Sequence, residues 1–287
     1  MLPRSLIRVK TEHMQRIAIM GTGMVGGALD RYFKTKDINA GLYDPPKGLN
    51  DTSVLAEADV IFVAVPTPYY LDGTGFDDSF MRAAMDAIPT PGKVIVFKST
   101  IVPGTTERFQ EMYPQHRVMF NPEFLTEANA DKDMVFPDRQ ILGTTSQSEK
   151  DAALILSLLP RAPYEKVMSA RNAELVKYFG NAFLAMKVTY ANHMYDVCQS
   201  IGCDYDEVKE GASADPRIGK SHLDVGHGGY RGYGGKCLPK DVRSLVQFAS
   251  ALGVDIPLIV AAEKYNNELV GKQGLDIKWK EGSPDKK

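Results

Sequence analysis

The chain is poor in cysteine, and its few cysteines are widely spaced. The 287 residues include only three, Cys198, Cys203 and Cys237. An odd number this small does not form the disulfide framework of a small secreted domain. The spacing also does not provide the neighbouring ligands of a structural zinc site. The scarcity therefore excludes a disulfide-stabilised scaffold, argues against a metal centre and favours a protein of the reducing cytoplasm.

Excess charge and long apolar runs are also absent. Lys and Arg number 34 against 36 Asp and Glu, for a net charge of −2. This balance lacks the basic surplus of a nucleic-acid-binding domain. No apolar run approaches the roughly 20 residues that cross a bilayer, so we expect no membrane association. Residues 1–13 lack the apolar core of a secretory signal, and we expect flexible tails there and over residues 271–287.

Glycine, by contrast, is concentrated in motifs. An apolar run over residues 15–20 leads into Gly21-Thr22-Gly23-Met24-Val25-Gly26, and a helix-like stretch follows. A strand, G-x-G-x-x-G and a helix in this order form the dinucleotide-binding fingerprint. The first glycine makes a tight turn, the second lets a pyrophosphate approach, and the third lets the helix pack on the strand. We therefore predict cofactor contacts at Gly21, Gly23, Met24, Val25 and Gly26.

An acidic residue stands where this fingerprint needs one. Asp44 ends the next strand-like run, eighteen residues after Gly26. A carboxylate there accepts a hydrogen bond from a ribose 2′-OH and repels a 2′-phosphate. The sequence thus predicts NAD rather than NADP as the cofactor. The alternative, a purely structural glycine turn, explains neither the acid nor the flanking strand and helix.

The first half of the chain alternates between strand-like and helix-like runs. Apolar strand patterns span residues 59–65, 93–97, 117–120 and 140–143. Continuous apolar strands are typical of parallel sheets covered on both faces. The alternation predicts an α/β fold, with an NAD-binding, Rossmann-like doubly wound parallel sheet over residues 14–168. Loops after such strands line ligand crevices, which adds Pro66, Thr67 and Thr100 to the expected cofactor contacts.

The second half changes to long helical runs, which predict an all-helical domain over residues 169–270. On its first and longest helix, Glu174, Lys177 and Asn181 share one face. A solvated charged stripe is the ordinary explanation of such a face. However, Asn181 and Asn192 lie among apolar residues, and buried amides need hydrogen-bond partners.

A glycine-rich run precedes the third cysteine. Cys237 follows Gly232-Tyr233-Gly234-Gly235-Lys236 and stands two residues before Pro239. Proline suits the first turn of a helix, and a helix N-terminus favours the thiolate form of a cysteine. Asp241 follows about one helical turn later, so a covalent catalytic centre is one explanation. An inert cysteine in a glycine-rich loop is the other. We expect the preceding residues 220–231 to form a mobile loop.

Taken together, the motifs resemble those of the UDP-glucose/GDP-mannose dehydrogenase family. The resemblance covers residues 14 to about 267, and its number of motifs in family order makes it specific. The motifs are Gly21-Thr22-Gly23-Met24-Val25-Gly26, Pro66-Thr67-Pro68, Lys98-Ser99-Thr100, Asn121-Pro122-Glu123-Phe124-Leu125, Glu174-Leu175-Val176-Lys177 with Asn181-Ala182-Phe183-Leu184-Ala185, Arg217-Ile218-Gly219, and Gly234-Gly235-Lys236-Cys237-Leu238-Pro239-Lys240-Asp241.

The resemblance implies oxidation of a nucleotide sugar's primary alcohol to a carboxylate, with two hydrides passed to two NAD+. The expected reaction is UDP-glucose to UDP-glucuronate, a step of polysaccharide biosynthesis. Cys237 would attack the intermediate aldehyde to give a thiohemiacetal, and further oxidation would give a thioester that water hydrolyses. Lys177 and Asn181 would stabilise the oxyanion, and Asp241 would orient or activate the water.

The resemblance also implies further contacts. Glu123 and Glu127 would flank the sugar and assist proton transfer, with Thr100 nearby, and Lys240 would join the cofactor contacts. The substrate would contact Glu123, Phe124, Leu125, Lys177, Asn181, Arg217, Tyr233 and Gly234. Arg217 resembles a residue that reaches into the neighbouring subunit's site, which implies a homodimer through the helical domain.

The sequence departs from the family pattern in length. Family members usually continue into a second Rossmann-like domain that binds much of the nucleotide, whereas this chain ends near the expected start of that domain. Two alternatives stay open: a non-catalytic NAD- or sugar-nucleotide-binding remnant that pairs with another protein, and a one-hydride β-hydroxyacid dehydrogenase. The number of NADH molecules formed per substrate separates the three functions as two, none or one.

Overall fold

The computed structural model describes residues 15–70, 75–235 and 237–275. Its strands are β1 (Ile17–Met20), β2 (Gly41–Tyr43), β3 (Val60–Val63), β4 (Tyr69–Tyr70), β5 (Gly75–Phe76), β6 (Val94–Phe97), β7 (Arg117–Phe120), β8 (Arg139–Thr144) and β9 (Tyr164–Ser169). Its α-helices are α1 (Met24–Lys34), α2 (Ser53–Glu57), α3 (Ser79–Asp86), α4 (Thr105–Met112), α5 (Ala130–Val135), α6 (Ala152–Leu158), α7 (Ala170–Ile201), α8 (Tyr205–Ser213), α9 (Leu238–Ala251) and α10 (Pro257–Lys272).

Both predicted tails extend beyond the described residues. Residues 1–14 and 276–287 lie outside them. Helix α10 continues to Lys272, so the regular structure ends later than the expected start of the second tail at residue 271.

The chain divides into two compact units. The sheet unit comprises Met1–Val65, Ala83–Ser99 and Thr106–Val167, and the helical unit comprises Pro66–Arg82, Thr100–Thr105 and Met168–Lys287. The segments that follow β3 and β6 therefore group with the helical unit, although the sequence places them between strands of the sheet.

The sheet has seven strands in the order β2-β1-β3-β6-β7-β8-β9. All four residues of β1, β3 and β6 are buried, as expected for strands with continuous apolar character. The first five strands in this order pair in parallel. Strand order reverses at β1, so ligands are expected at the carboxyl ends of β1 and β3. The Rossmann-like prediction is confirmed.

Strand β8 differs from the predicted parallel sheet. β8 runs antiparallel to β7, with Met119 opposite Thr144 and Phe120 opposite Gly143. An apolar run indicates that a strand is buried but carries no information about its direction, so the pattern could not have identified this reversal.

The core of the sheet unit joins α1 to the central strands. Leu29 and Phe33 of α1 are fully buried, and the rings of Phe33 and Phe62 lie 5.5 Å apart. Because α1 is fixed along this apolar face, the position of its N-terminus beside the glycine loop is also fixed.

The helical unit is built around the 32-residue helix α7. Ser169 caps its N-terminus by accepting the N–H of Asn172, and Gly202 ends it with a φ of +72°. A left-handed glycine is a common helix terminator. Helices α9 and α10 pack on α7. Strands β4 and β5 pack on α10, where Tyr69 and Phe76 contact Val270. Among residues 15–70, 75–235 and 237–275, no helix is long and apolar enough to span a bilayer.

Candidate active site

The glycine loop between β1 and α1 is shaped for close approach by a ligand. Gly21 has a φ of +83°, and a Cβ on it would lie 2.6 Å from the carbonyl oxygen of Ala64. A Cβ on Gly26 would overlap the carbonyl oxygen of Gly21, whereas one on Gly23 would meet no atom within 4 Å. Gly23 is also the N-cap residue of α1, and no side chain there accepts a hydrogen bond from the first N–H groups of the helix. The loop therefore excludes side chains at two positions and leaves room for a phosphate at the third, beside a helix N-terminus.

Asp44, directly after β2, is bound to this loop. Thr22 donates its N–H and its hydroxyl to Oδ2 of Asp44, both at 2.7 Å, and the Lys47 ammonium lies 3.6 Å from the same oxygen. Burial alone would raise the pKa of Asp44, but the Thr22 hydrogen bonds and Lys47 outweigh it and lower the pKa. The group is therefore a carboxylate at neutral pH. Met24 and Val25 form the first turn of α1 next to the glycine loop.

The segment after β7 lines a cavity of about 390 Å³ within the sheet unit. Glu123, Phe124 and Leu125 all contribute to its wall. Glu123 is buried, and its Oε2 accepts the N–H of Leu125 at 2.8 Å. The Arg139 guanidinium lies 3.9 Å from the centre of the Phe124 ring, a cation–π contact. The structure thus brings three of the predicted substrate residues together.

Other residues of the sheet unit depart from the sequence analysis. Glu127 is exposed in a short 3₁₀ turn and does not line this cavity. Lys98 and Arg139 do line it, although neither was assigned a role. Lys98 is buried and donates to Oδ1 of Asn121 at 2.6 Å. Because Lys98 stands directly after β6, where loops line ligand crevices, the sequence could have indicated a role for it. Arg139 has no comparable position in a sequence motif.

Helix α7 carries two buried charged residues. Glu174 is 0% exposed and Lys177 is 4% exposed, so the solvated-stripe explanation of this face is wrong. The Oε2 atom of Glu174 accepts the N–H of Gly104 at 2.5 Å. Buried charges are retained only with partners, and a cation of low exposure interacts strongly with a negative charge that develops beside it.

Asn181, one helical turn after Lys177, connects α7 to α9. Its Nδ2 donates to Oδ2 of Asp241 at 2.5 Å. Asp241 is 1% exposed, and its Oδ1 lies 3.2 Å from the Lys240 ammonium. The predicted oxyanion ligand Asn181 therefore uses one of its two amide hydrogens to hold the carboxylate predicted to orient water.

Cys237 is the N-cap residue of α9, which confirms the prediction of a cysteine at a helix N-terminus. Its carbonyl accepts the N–H of Asp241 at 2.9 Å, and Pro239 occupies the first turn. The residue is partly buried. The positive end of the helix dipole stabilises an anion at this position.

Residues predicted as cofactor contacts from three separate segments lie together in the helical unit. The hydroxyl of Thr67 donates to the carbonyl of Thr100 at 2.8 Å. The Lys240 ammonium lies 3.5 Å from the carbonyl of Thr67. Pro66, the preceding residue, is exposed. Lys240 therefore contacts both the Thr67 segment and Asp241.

Arg217, Tyr233 and Gly234 lie outside these contacts. Arg217 is 89% exposed and forms a two-pronged ion pair with Asp215, through Nε to Oδ1 at 3.0 Å and Nη2 to Oδ2 at 2.6 Å. This hydrogen bonding raises the pKa of Arg217 and lowers that of Asp215. Tyr233 is buried, and a Cβ on Gly234 would overlap the hydroxyl of Tyr230.

Within the helical unit, the arrangement has the parts of a covalent catalytic centre. A thiol at a helix N-terminus can act as a nucleophile, and the carboxylate one turn later can orient a water molecule. A buried ammonium and an amide on the facing helix can stabilise an oxyanion. The glycine loop and Asp44 of the sheet unit, taken separately, have the parts of a dinucleotide site.

Two domains of one protein family match this chain. The NAD binding domain of the UDP-glucose/GDP-mannose dehydrogenase family matches residues 48–158, and the central domain of the same family matches residues 171–268. The chain belongs to the UDP-glucose/GDP-mannose dehydrogenase family. The first of these matches also confirms the prediction of NAD as the cofactor, and the glycine loop has the shape that a pyrophosphate needs.

Relatives of this family member are longer than the chain itself. The UDP-glucose 6-dehydrogenase of Pseudomonas aeruginosa is 37% identical over 227 residues, which is 74% of this chain and 49% of the relative. The chain spans about half the length of the curated relatives it matches.

Solved structures of dehydrogenases share the fold. A UDP-glucose dehydrogenase from the hyperthermophilic archaeon Pyrobaculum islandicum matches with a TM-score of 0.78 and 28% identity, over 96% of this chain and 73% of that one. A 3-hydroxyisobutyrate dehydrogenase from Mycobacterium tuberculosis matches with a TM-score of 0.70 and 16% identity, over 90% and 94% of the two chains. At this low identity, the second likeness concerns the fold alone.

Proposed function

We propose that this family member carries out the NAD-dependent, four-electron oxidation of a nucleotide sugar, with UDP-glucose as the preferred substrate and UDP-glucuronate as the product. The proposal rests on the group formed by Cys237, Asp241, Asn181 and Lys177 in the helical unit. An enzyme that stops after one hydride transfer has no use for a nucleophilic sulfur, whereas oxidation to a carboxylate benefits from a covalent intermediate.

The sheet unit would hold the cofactor. The backbone around Gly21, Gly23 and Gly26 would bind the pyrophosphate at the N-terminus of α1, and Asp44 would accept from the ribose hydroxyls. When bound, NAD+ supplies the hydride acceptor, with two equivalents consumed per sugar. The charged state of Asp44 also disfavours a 2′-phosphate and therefore NADP.

Cys237 would be the nucleophile. After the alcohol has been oxidised to an aldehyde, Sγ forms a bond to the aldehyde carbon, and the aldehyde oxygen gains a proton to give a thiohemiacetal. Loss of a hydride and a proton from this adduct leaves an acyl group on sulfur as a thioester. Attack by water then breaks the carbon–sulfur bond, releases the carboxylate and restores the thiol.

Residues on α7 and α9 would stabilise the charged stages. The Lys177 ammonium would stabilise the oxyanion of each tetrahedral species. Asn181 uses one amide hydrogen for Asp241 and has a second for the substrate oxygen. Asp241, buried and hydrogen-bonded, would take the proton of the hydrolytic water.

Glu123 is the better candidate for direct contact with the sugar. It is buried and lines the cavity with Phe124 and Leu125, whereas Glu127 is exposed. We assign Glu123 to substrate binding and proton transfer, and we assign Glu127 and Thr100 to assisting roles.

We also infer a homodimer through the helical unit. Exposed apolar side chains recur along α7 at intervals of four or seven residues, which places them on one side of the helix. They are Leu175, Phe179, Phe183, Tyr190, Val197 and Ile201. An apolar surface this long suits a second copy of the same helix. Arg217, exposed beside its Asp215 partner, would then reach the other subunit's substrate.

The dimer is tested by a charge on the apolar stripe. We expect Phe179→Asp to convert a dimer into a monomer by analytical ultracentrifugation, because it buries a carboxylate in the interface. Leu252→Asp introduces the same charge at an exposed apolar residue outside the stripe, at the C-cap of α9, and should leave the dimer intact. A monomeric wild-type chain, or a Phe179→Asp dimer, would contradict the inference.

The oxidation is tested by counting NADH for a panel of UDP- and GDP-sugars. We expect two NADH per molecule of UDP-glucose and a thioester on Cys237, detected by mass spectrometry after rapid quenching. Cys237→Ser should abolish the thioester and the second oxidation. One NADH per substrate with full turnover of Cys237→Ser would support the β-hydroxyacid alternative. NAD binding without NADH from any sugar would support the non-catalytic alternative.

A further inference from the structure

Two side-chain amides, Asn266 of α10 and Gln273 at its C-cap, bind the segment that leads to Cys237. Asn266 accepts the N–H of Tyr233 at 2.7 Å and donates to its carbonyl at 2.9 Å. Gln273 accepts the N–H of Arg231 at 2.9 Å and donates to its carbonyl at 2.9 Å. Each amide therefore satisfies both backbone groups of one residue, as a neighbouring β-strand would.

The spacing of the four residues makes this arrangement possible. Asn266 and Gln273 are seven residues apart, which is about two turns of a helix, and so share one face. Arg231 and Tyr233 are two residues apart, as are residues on one side of an extended segment. Gly232 between them has a φ of +94°, and a Cβ on it would lie 2.7 Å from Oδ1 of Asn266. We call Asn266 and Gln273 the amide clamp.

Helix α7 holds the same segment through the Arg231 side chain. The Nε atom of Arg231 donates to Oδ1 of Asn192 at 3.0 Å, and Nη2 lies 2.7 Å from Oδ1 of Asp196. The guanidinium also lies 4.7 Å from the centre of the Tyr195 ring. The last residue of the expected mobile loop is thus attached to α7 and to the C-cap of α10, and the buried Asn192 has the partner that burial requires.

We propose that Asn266 and Gln273 are positioning residues that fix Cys237 at the N-terminus of α9. Cys237 lies four residues beyond Tyr233, and Gly234 and Gly235 intervene. Helix α9 holds Cys237 from the C-terminal side, and because glycine permits many backbone conformations, anchoring the chain before these two glycines limits the positions open to the sulfur from the other side. The inference rests on the proposed role of Cys237, and neither amide touches the reacting atoms.

The first test removes each amide. Asn266→Leu and Gln273→Leu keep the approximate size of the side chain and lose both hydrogen bonds. Asn267→Leu makes the same change at the exposed neighbouring residue and serves as the control. The readout is the rate of Cys237 alkylation by iodoacetamide across pH, followed by mass spectrometry of the peptide that contains Cys237. This readout excludes the other two cysteines and needs no substrate.

We expect the midpoint of the alkylation profile to move to higher pH in Asn266→Leu, because the thiolate leaves the helix N-terminus. The rate near neutral pH should fall about tenfold, the effect of losing two buried hydrogen bonds. Gln273→Leu should have a smaller effect in the same direction, and Asn267→Leu should match the wild type. With UDP-glucose, the second oxidation should slow on the order of 100-fold, so free aldehyde accumulates and NADH per sugar falls below two.

A second variant separates positioning from general support of the fold. In Asn266→Asp, a protonated carboxyl has one donor and one acceptor like the amide, whereas a carboxylate has acceptors only. Its Cys237 alkylation rate, divided by that of the wild type at the same pH, should therefore approach one as pH falls. A ratio that does not depend on pH would overturn the proposed clamp at Tyr233.

Two outcomes distinguish this inference from the proposed function. Unchanged alkylation midpoints in folded Asn266→Leu and Gln273→Leu would overturn the clamp even if wild type forms two NADH per sugar. Gln273 is exposed, so its variant keeps the test decisive if Asn266→Leu does not fold. Shifted midpoints in a wild-type protein that oxidises no sugar would support the clamp and contradict the proposed function.

Discussion

The proposed site of the sheet unit is formed by backbone groups, whereas that of the helical unit is formed by side chains. In the sheet unit, the glycine loop is a single run of six residues, Gly21–Gly26, and acts through its backbone. In the helical unit, the polar side chains come from segments far apart in the chain. Asn181 and Asp241 are 60 residues apart, and Lys240 and Thr67 are 173 residues apart. A backbone site is encoded locally, whereas a side-chain site depends on how distant helices pack.

This difference predicts different responses to substitution. Changes at Gly21 and Gly26 of the glycine loop should act through steric overlap, with large effects that do not depend on pH. Changes among the polar residues of α7 and α9 should act through charge and hydrogen bonding, with effects that titrate.

The largest effect is expected at the glycine loop. Gly26→Ala places a Cβ against the carbonyl of Gly21, which cannot move without α1 or β1. We expect the free energy of unfolding to fall by about 4 kcal/mol or more. Gly23→Ala meets no atom within 4 Å, so its stability should stay within about 0.5 kcal/mol of wild type while its NAD affinity falls. Thermal unfolding and calorimetric NAD titration measure both. Equal stability losses would contradict the steric account.

The next effect concerns the Asn181–Asp241 pair. Asn181→Asp places two carboxyls where Nδ2 and Oδ2 are now 2.5 Å apart, which raises one pKa of the pair. Because the folded-state pKa then exceeds the unfolded value, stability is present at low pH and is lost as pH rises through the folded pKa. Asn181→Ala should instead lose activity at every pH, on the order of 100-fold.

Melting temperature and kcat measured across pH test this pair. The Asn181→Asp melting temperature, relative to wild type, should decline with rising pH more steeply than that of Asn181→Ala, which loses a hydrogen bond to Asp241 but gains no second carboxyl. Parallel curves for the two variants would show that Asp241 is not close to residue 181.

The fold was predictable where a pattern is long or continuous. The run 117–120 matches β7, and the first and longest helix predicted for the second half matches α7, which has no internal proline and has Gly202 as its C-cap. The direction of β8 and the two-residue strands of the β4–β5 hairpin were not predictable. Pairing direction and short hairpins depend on tertiary contacts, here Tyr69 and Phe76 against Val270, and these have no local signature.

The candidate site residues, like the fold, were predictable where the requirement is local and unpredictable where it depends on distant contacts. The roles of Gly21, Gly23 and Gly26 follow from their spacing, because each is a local backbone requirement. By contrast, the burial of Glu174 and Lys177 could not be inferred from the helix, since the same stripe would be solvated without its partners. Asn266 and Gln273 look like ordinary polar residues of a surface helix, and their partners lie more than 30 residues earlier in the chain.

A smaller effect tests whether distant contacts hold the helical unit together. Glu174 accepts the N–H of Gly104, so Glu174→Ala leaves this donor without its acceptor and should cost about 1–3 kcal/mol of stability. Glu174→Gln retains an oxygen acceptor and should cost less. Glu207→Ala on the exposed face of α8 is the control. Chemical denaturation followed by circular dichroism measures all three, and equal losses in Glu174→Ala and Glu174→Gln would assign the effect to charge instead.

The smallest expected effect concerns His116 of the sheet unit. It tests whether pH-dependent stability is confined to the helical unit. Burial lowers the pKa of His116, helped by the positive charges of Lys93 and Arg117. His116 accepts the N–H of Lys93 through Nδ1 at 3.3 Å. Since the folded-state pKa lies below the unfolded value of about 6.5, its contribution is present at higher pH and is lost as pH falls below that value.

His116→Asn keeps a hydrogen-bonding group but does not titrate, so its sheet unit should lose less stability on acidification than the wild type. Hydrogen exchange of the β6 and β7 amides between about pH 7.5 and pH 5.5, corrected for intrinsic exchange rates, measures this difference locally. His193→Asn, on the exposed face of α7, should leave the β6 and β7 amides unchanged. If His116→Asn and wild type lose protection equally, the acid sensitivity of the sheet comes from groups other than His116, and the role assigned to His116 is wrong.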